Sequence, residues 1–532
     1  MNRVLKGTVA AVSGIAFALA GIVGASSAYA DDASSTTTAS STPTIQGTQG
    51  VAATTTSTIT VTNAQAGDMV AGYRLLNVES QSGDAFVYLV NATYKDAIIS
   101  AINAINGDAA APSTDAQIIS FLTTKLNSSN VSQFATAFMS YKPAPTPTIA
   151  ATDATKPISA QVGYYLLNQT VQGADTGKTI SRFMVDTLGA APLNVTLKNG
   201  TVSISKKVKQ NTANTDNATW ANDADYGLGE TVPFQLTGTL PSTYDNFSTY
   251  LYTFTDTLPA GLTLVPGSEQ VEAITNGQST DITKDFTVSP ADNQVSGAPF
   301  TMSCANLKTI AGLTADSQIV VTYNTTLNSN ATVGNPGNIN KANITFSSNP
   351  NVNDASQTET TPEATATVFT YAAQLKKLFQ DASGKTVDTP TGDMPQFTMY
   401  ASNGTTKVSG PVTVATNGDF SFNDLDTGTY VLKETHTPAG FNTADPITFT
   451  ITATHGTDAS TGAPTISALT VSQQGWTANA NAGTISGTIL NVKGGLLPST
   501  GGMGTTLFYV FGSLLVAAAV AGMVFALRRR NA

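Results

Sequence analysis

The spacing of hydrophobic positions changes period twice along this 532-residue chain. From Thr58, Ile59 and Val61 alternate with threonines, and Val70, Tyr73, Leu75 and Val78 extend the apolar signal, which predicts strands. Helical spacing follows. Ile98, Ile102 and Ile105 fall on one face, as do Ile118, Phe121, Leu122 and Leu126, and then Val131, Phe134 and Phe138. Pro143, Pro145 and Pro147 end that pattern, and strands resume at 162–167 and around Val195. Residues 58–197 therefore read as a first domain of strands with a small helical insert. Residues 198–362 read as all-β, with short Thr/Val/Ile/Phe runs between clusters of Gly, Pro, Asn and Asp. The polar, acidic stretch 351–365 marks a boundary, and residues 366–493 are again all-β with turns at sandwich spacing, giving a third domain at 363–493.

The two ends have a different character. Arg3 and Lys6 precede an apolar run from Val9 to Val23 and the small-x-small site Ala28-Tyr29-Ala30, which reads as a signal peptide at 1–30. Residues 31–57, rich in Thr, Ser and Ala, read as a flexible leader. At the other end, Thr505 to Leu527 is mostly apolar and 23 residues long, about 35 Å as a helix, enough to span a ~30 Å hydrocarbon core. Arg528, Arg529 and Arg530 close it on what should be the cytoplasmic side.

Composition narrows the function. Charged residues are 11% against a typical ~25%, while 41% are hydrophobic, so Thr, Ser, Asn, Gln and Gly must cover the surface. Such a composition suits extracellular β-structure rather than disorder. Cys304 is the sole cysteine, which excludes a disulfide framework, and His436 and His455 are the only histidines, so clustered-histidine zinc chemistry is excluded. A net charge of −10 argues against a nucleic-acid partner. Loss of both end segments would remove five basic and no acidic side chains, moving the charge to −15. No cofactor and no metal site is expected.

Three polar side chains fall where strand alternation should bury them. Lys377 shares the phase of Leu375 and Phe379, Glu434 that of Tyr430 and Leu432, and Asn491 that of Ile489. Burial lowers a lysine pKa and raises a glutamate pKa. The neutral amine is then a nucleophile, and the protonated carboxyl can polarise a carboxamide and shuttle protons. A Lys–Asn amide formed with loss of ammonia is the product this set can make; an ordinary buried ion pair is the other reading. In the second domain Lys206 shares phase with Ile204 and Val208, and Asp256 with Tyr252 and Phe254.

Four motifs carry a resemblance to Gram-positive sortase-assembled backbone pilins. Leu497-Pro498-Ser499-Thr500-Gly501, followed by the apolar run and arginines, resembles the Leu-Pro-x-Thr-Gly cell-wall sorting signal, so 494–532 is identified as such a signal with a transmembrane helix at 505–527. Tyr430-Val431-Leu432-Lys433-Glu434-Thr435-His436-Thr437-Pro438-Ala439-Gly440-Phe441 resembles the Tyr-x-Leu-x-Glu-x-x-x-Pro-x-Gly-Tyr signature of Cna-B-type sandwiches, with Phe441 in place of Tyr. That likeness implies a Lys377–Asn491 bond assisted by Glu434. Asp256-Thr257-Leu258-Pro259-Ala260-Gly261-Leu262 resembles the isopeptide-forming middle domain of fimbrial shaft subunits, with Asp256 as its acid. The closing motif there reads here as Phe346-Ser347-Ser348-Asn349-Pro350, with Ser348 at the bonding position and Asn349 as the partner expected for Lys206, given a bulge. Thr196-Leu197-Lys198-Asn199 resembles a pilin motif that lacks its usual Tyr-Pro, and implies Lys198 as acceptor amine.

Together these imply tandem Ig-like, Cna-type β-sandwiches in an elongated rod. The chain would be no enzyme beyond its own cross-linking, but a structural subunit joined by a sortase through Thr500 to Lys198 of the next identical subunit. Peptidoglycan and a host surface or matrix ligand complete the expected partners, on a secreted, wall-anchored chain. A monomeric wall-anchored adhesin is the alternative; it keeps the sorting signal and needs no acceptor lysine. A hydrolase would need a nucleophile–base pair or carboxylate cleft that the chain does not offer.

Overall fold

A computed structural model describes residues 10–12, 15–17 and 55–494 and six positions between Ser513 and Met523. Within 55–494 it leaves out 83–84, 108–109, 128–129, 151, 174–175, 188–192, 198, 212–218, 292–294 and 351–356. The pentapeptide, most of the expected leader and most of the signal peptide and apolar tail thus lie outside the described residues, and Thr56 and Ser57, expected in the leader, already belong to the first strand. Those six tail positions are helical, with Leu515, Val516, Val520 and Met523 exposed. Among the described residues no helix is long and apolar enough to cross a membrane. Two compact units divide the chain at Phe369/Thr370.

The first unit begins with β1 (Thr56–Thr62), β2 (Asp68–Ser82), β3 (Ala85–Val90), α1 (Lys95–Ile105), α2 (Asp115–Ser120), α3 (Val131–Ser140), β4 (Ile158–Gln161), β5 (Gly163–Val171), β6 (Arg182–Asp186) and β7 (Leu193–Thr196). Strands β6-β5-β2-β3 form one sheet, extended at β6 by a short hairpin of Ala10–Val12 and Ile15–Phe17, and β7-β1-β4 form another. The helices appear where the isoleucine and phenylalanine spacing predicts them. Ile98, Ile102, Ile118, Leu122, Phe134 and Phe138 are buried against β2 and β5 residues such as Leu76 and Tyr164. Helix α2 opens with a capping box, Thr114 accepting from the Gln117 amide and Gln117 reaching back.

Next come β8 (Ile204–Lys209), β9 (Thr231–Thr239), β10 (Tyr252–Thr257), β11 (Gln270–Thr275), β12 (Pro299–Cys304), β13 (Gln318–Leu327), β14 (Asn338–Ser347) and β15 (Ala364–Phe369). They make two facing sheets, β8-β9-β13-β11 and β15-β14-β10-β12, around one apolar cluster that includes Phe234, Phe254, Ile319 and Ile344. Because β15 pairs with β14, residues 364–369 belong to this sandwich. Its limit therefore falls after 369 rather than at 362.

The second unit contains β16 (Tyr371–Gln380), β17 (Gln396–Ala401), β18 (Lys407–Thr413), β19 (Asp419–Leu425), β20 (Gly428–His436), β21 (Ile447–Thr457), β22 (Pro464–Val471) and β23 (Thr484–Val492). One sheet orders β18-β17-β20-β21-β22. In the other, β16 is flanked by β19 and β23. The first and last strands pair in parallel over their whole length, Ala372 opposite Thr484 through Gln380 opposite Val492.

Candidate functional site: two buried lysine–acid–asparagine clusters

Strand phase delivers three polar groups to the interior of the second unit. Along β16, Leu375, Lys377 and Phe379 are buried while Lys376 is exposed. On β23, Ile489 and Asn491 are buried and Leu490 is exposed. Parallel pairing sets Lys377 opposite Ile489 and Phe379 opposite Asn491, so the amine and carboxamide are diagonal neighbours on one face. Glu434 comes from the facing sheet, where β20 pairs with β17 at Phe397. Lys377 Nζ donates to Asn491 Oδ1. Asn491 Nδ2 donates to Glu434 Oε1 at 2.7 Å, and the Ala444 amide donates to Glu434 Oε2 at 2.6 Å.

The surroundings are aromatic. Lys377 Nζ lies 5.6 Å from the ring centre of Phe379 and 5.5 Å from that of Phe397. Phe441 packs edge-on to Phe379 at 4.8 Å, so the residue that replaces the signature tyrosine supplies the same apolar cover. With Lys377 only 1% exposed, burial pulls its amine down to about 8, against the opposing charge of Glu434. A useful fraction is then uncharged near neutrality.

The middle sandwich holds a second cluster. Lys206 on β8 and Tyr323 on β13 face Asp256 on β10 and Asn340 on β14, and all four are buried. Lys206 Nζ contacts Asp256 Oδ2 and donates to the Tyr323 hydroxyl at 2.8 Å. Tyr323 donates to Asp256 Oδ2 at 2.6 Å, and Asn340 Nδ2 donates to the Tyr323 oxygen at 2.8 Å. Asp256 Oδ1 and Asn340 Oδ1, both enclosed, have no hydrogen-bond partner. Burial pushes Lys206 down against the pull of Asp256, and pushes Asp256 up against Lys206, Tyr323 and Asn340. Both shifts favour a neutral amine beside a carboxylic acid, whose proton would suit the unpaired oxygens.

Asn349 is fully buried. It lies beyond the end of β14, where its Nδ2 donates to Gln357 Oε1 at 2.7 Å. Asp256 stands opposite Ala342, and the inward position two residues earlier, Asn340, brings a carboxamide into the cluster through the Tyr323 hydroxyl. The signal was present in the sequence: Asn340, Ala342, Ile344 and Phe346 alternate in one buried phase.

Lys198, Leu497, Pro498, Ser499, Thr500 and Gly501 lie outside the described residues. Beside the first of these, the Leu197 amide donates to Thr62 O at 3.0 Å and Asn199 Nδ2 to Asp68 Oδ2 at 3.2 Å. Lys178 pairs with the other oxygen of Asp68 at 3.2 Å. Cys304 is buried, which pushes its thiol up and away from reactivity. His436 pairs with Asp393 at 2.6 Å on the surface. Among the described residues no cluster of acidic, histidine and cysteine side chains could hold a metal.

Each of the two β-sandwiches thus encloses an amine, an acid and a carboxamide between its sheets. Residues 228–350 match the model of the Gram-positive pilin backbone subunit 2, Cna-B-like domain, and residues 386–463 match the SpaA prealbumin-like fold domain. The chain therefore carries domains of two Gram-positive pilin families, which are families of structural subunits. No curated protein matches it by sequence. Among solved structures, the T6 backbone pilin of serotype M6 Streptococcus pyogenes shares the fold at TM-score 0.54 and 18% identity, covering 83% of this chain and 99% of its own. The major pilins SpaA and SpaD of Corynebacterium diphtheriae align with TM-scores of 0.46 and 0.43. Their identities are 14% and 16%, and each covers 82% of this chain and, respectively, 100% and 97% of its own.

Proposed function

We propose that this chain is the shaft subunit of a covalent, wall-anchored pilus. Its pilin domains would span 58–197, 198–369 and 370–493. A sortase thiolate attacks the Thr500 carbonyl and releases Gly501 onward, and Lys198 of the next subunit resolves the acyl-enzyme. Repetition gives head-to-tail Thr500–Lys198 amides, and the final subunit is transferred to peptidoglycan. The observation that supports this reading best is the pair of sealed lysine–acid–asparagine clusters in domains of a pilin family, because a chain cross-linked within each domain suits a load-bearing polymer.

Within each cluster the chemistry is a single turnover. In the last domain Lys377 Nζ, uncharged, attacks Asn491 Cγ. The Nζ–Cγ bond forms and the Cγ–Nδ2 bond breaks. Glu434, in contact with Nδ2, takes a proton originating on Nζ and returns one to the departing nitrogen, which leaves as ammonia. In the middle domain Lys206 and Asn340 are the partners and Asp256 the acid. No electrons change hands, so the cross-links form without an oxidant, in keeping with a chain that has one cysteine.

The experiment is Lys198→Ala in cells carrying the assembling sortase. Loss of the high-mass ladder on a denaturing gel, with the subunit still attached to the wall, is the expected result. An unchanged ladder overturns the assignment of Lys198, and wild-type chain that never forms a ladder indicates a monomeric adhesin.

A further inference from the structure

The middle-domain cluster contains a group that the lysine–acid–asparagine scheme leaves without a role. The Tyr323 hydroxyl touches all three participants. It accepts from Lys206 Nζ at 2.8 Å and from Asn340 Nδ2 at 2.8 Å, and it donates to Asp256 Oδ2 at 2.6 Å. Those two nitrogens are the one that attacks and the one that leaves. Both therefore lie a single hydrogen bond from the same oxygen.

We infer that Tyr323 is a catalytic residue for the middle-domain cross-link, relaying a proton from the lysine amine to the departing asparagine nitrogen. The inference rests on the reading of Lys206 and Asn340 as bond partners. When Nζ adds to Cγ, the new amine must shed a proton, and Nδ2 must gain one before the Cγ–Nδ2 bond can break. The phenol oxygen receives the first as its own hydrogen passes to Asp256 Oδ2; Asp256 then returns a proton to the phenol, whose oxygen hands one on to Nδ2. Tyrosine ends as it began, one Nζ–Cγ bond replaces one Cγ–Nδ2 bond, and ammonia departs. Asn340 Oδ1, on which charge develops during addition, has no hydrogen-bond partner in the resting cluster.

Three features fit a relay better than a packing role. Ring position is locked: Phe234 stacks on the Tyr323 ring at 5.6 Å and Phe300 meets it edge-on at 5.2 Å, so the hydroxyl has one place to be. The ring is fully enclosed and burial holds the phenol well above its ordinary pKa, so it keeps the hydrogen it must pass on. Water, the usual relay, has no entry to a cluster in which the side chains of Lys206 and Asp256 are 0% exposed. In the last domain Glu434 touches Nδ2 directly. The two domains thus use different routes for the same proton.

The test follows full-length chain made by cell-free synthesis, with tryptic peptides joining Lys206 to Asn340 counted against time and the Lys377–Asn491 peptide as an internal clock. Tyr323→Phe keeps the ring and removes only the oxygen. The middle bond should slow by about 10²-fold, within the range for loss of a general acid–base, while the clock is unchanged. An equal rate in Tyr323→Phe overturns the inference. Should that variant fail to fold, site-specific fluorotyrosines at Tyr323 decide it: a rate that tracks phenol acidity supports the relay, and a flat response overturns it. Wild-type chain in which Lys206 and Asn340 never join refutes the underlying pairing, and the relay falls with it.

Discussion

Lys377→Met is the sharpest perturbation of the last domain. It keeps the length of the buried stem and removes the nucleophile, so no cavity confuses the outcome. The amine and its carboxamide are 114 positions apart. Fully extended at ~3.4 Å per residue, that segment measures about 390 Å. Pulled by its ends in a force microscope, a wild-type domain should transmit load from β16 to β23 through the amide and yield none of that length. The variant should release nearly all of it in a single step. Closing a loop of this size also constrains the unfolded chain, by about 4–5 kcal/mol in the entropy treatment used for disulfides. The corresponding drop in melting temperature is roughly 15–20 °C for a domain of this size. If wild-type protein gives the full extension, the strands are held by hydrogen bonds alone and the argument from burial to bond is wrong.

Other consequences can be checked independently. Asn340→Ala should leave the middle domain about 17 Da, one ammonia, heavier relative to its composition, whereas Asn349→Ala should show the wild-type deficit; the reverse pattern would restore Asn349 as the partner. Bond formation between Lys377 and Asn491 should accelerate about tenfold per pH unit up to about 8, where the amine is half uncharged, and then level off; a pH-independent rate measured by intact mass excludes the amine as the titrating group. In Glu434→Ala, which should fold without bonding, loss of the glutamate charge takes the buried amine below about 8, so the unfolded chain holds a lysine proton that the folded chain has shed and denaturation should show stability rising from below pH 8 toward the ordinary lysine value of 10.5. Gly487→Ala would set a methyl carbon 2.3 Å from the Trp476 ring and should cost about 1–3 kcal/mol in chemical denaturation of the second unit.

Strand alternation alone found Lys377, Glu434, Asn491, Lys206 and Asp256, because a charged or amide side chain in a buried phase conflicts with its neighbours and so stands out. Asn340 obeys the same rule as Asn491 and was readable by it. The likeness in the Phe346–Pro350 stretch points instead past the end of β14, where alternation no longer governs. Tyr323 was unreadable for another reason. An aromatic in the inward phase of a strand conflicts with nothing, and only the cross-sheet distances distinguish its hydroxyl from a filler. The helical insert was legible through its isoleucine spacing. The boundary near 362 was not, since the polar stretch that suggested it precedes one more strand, β15, whose partner β14 lies earlier in the chain.

Parallel pairing of β16 with β23 has a consequence for biogenesis. A chain that crosses a membrane in order, amino end first, delivers β16 long before β23, and the central position beside β16 stays vacant until residue 484 and its successors emerge. Until then the sheet lacks its longest ladder and the amine has no carboxamide to meet, so the proposed bond can form only after the last strand has emerged. On that proposal the closing strand acts as a timer for hardening of the domain.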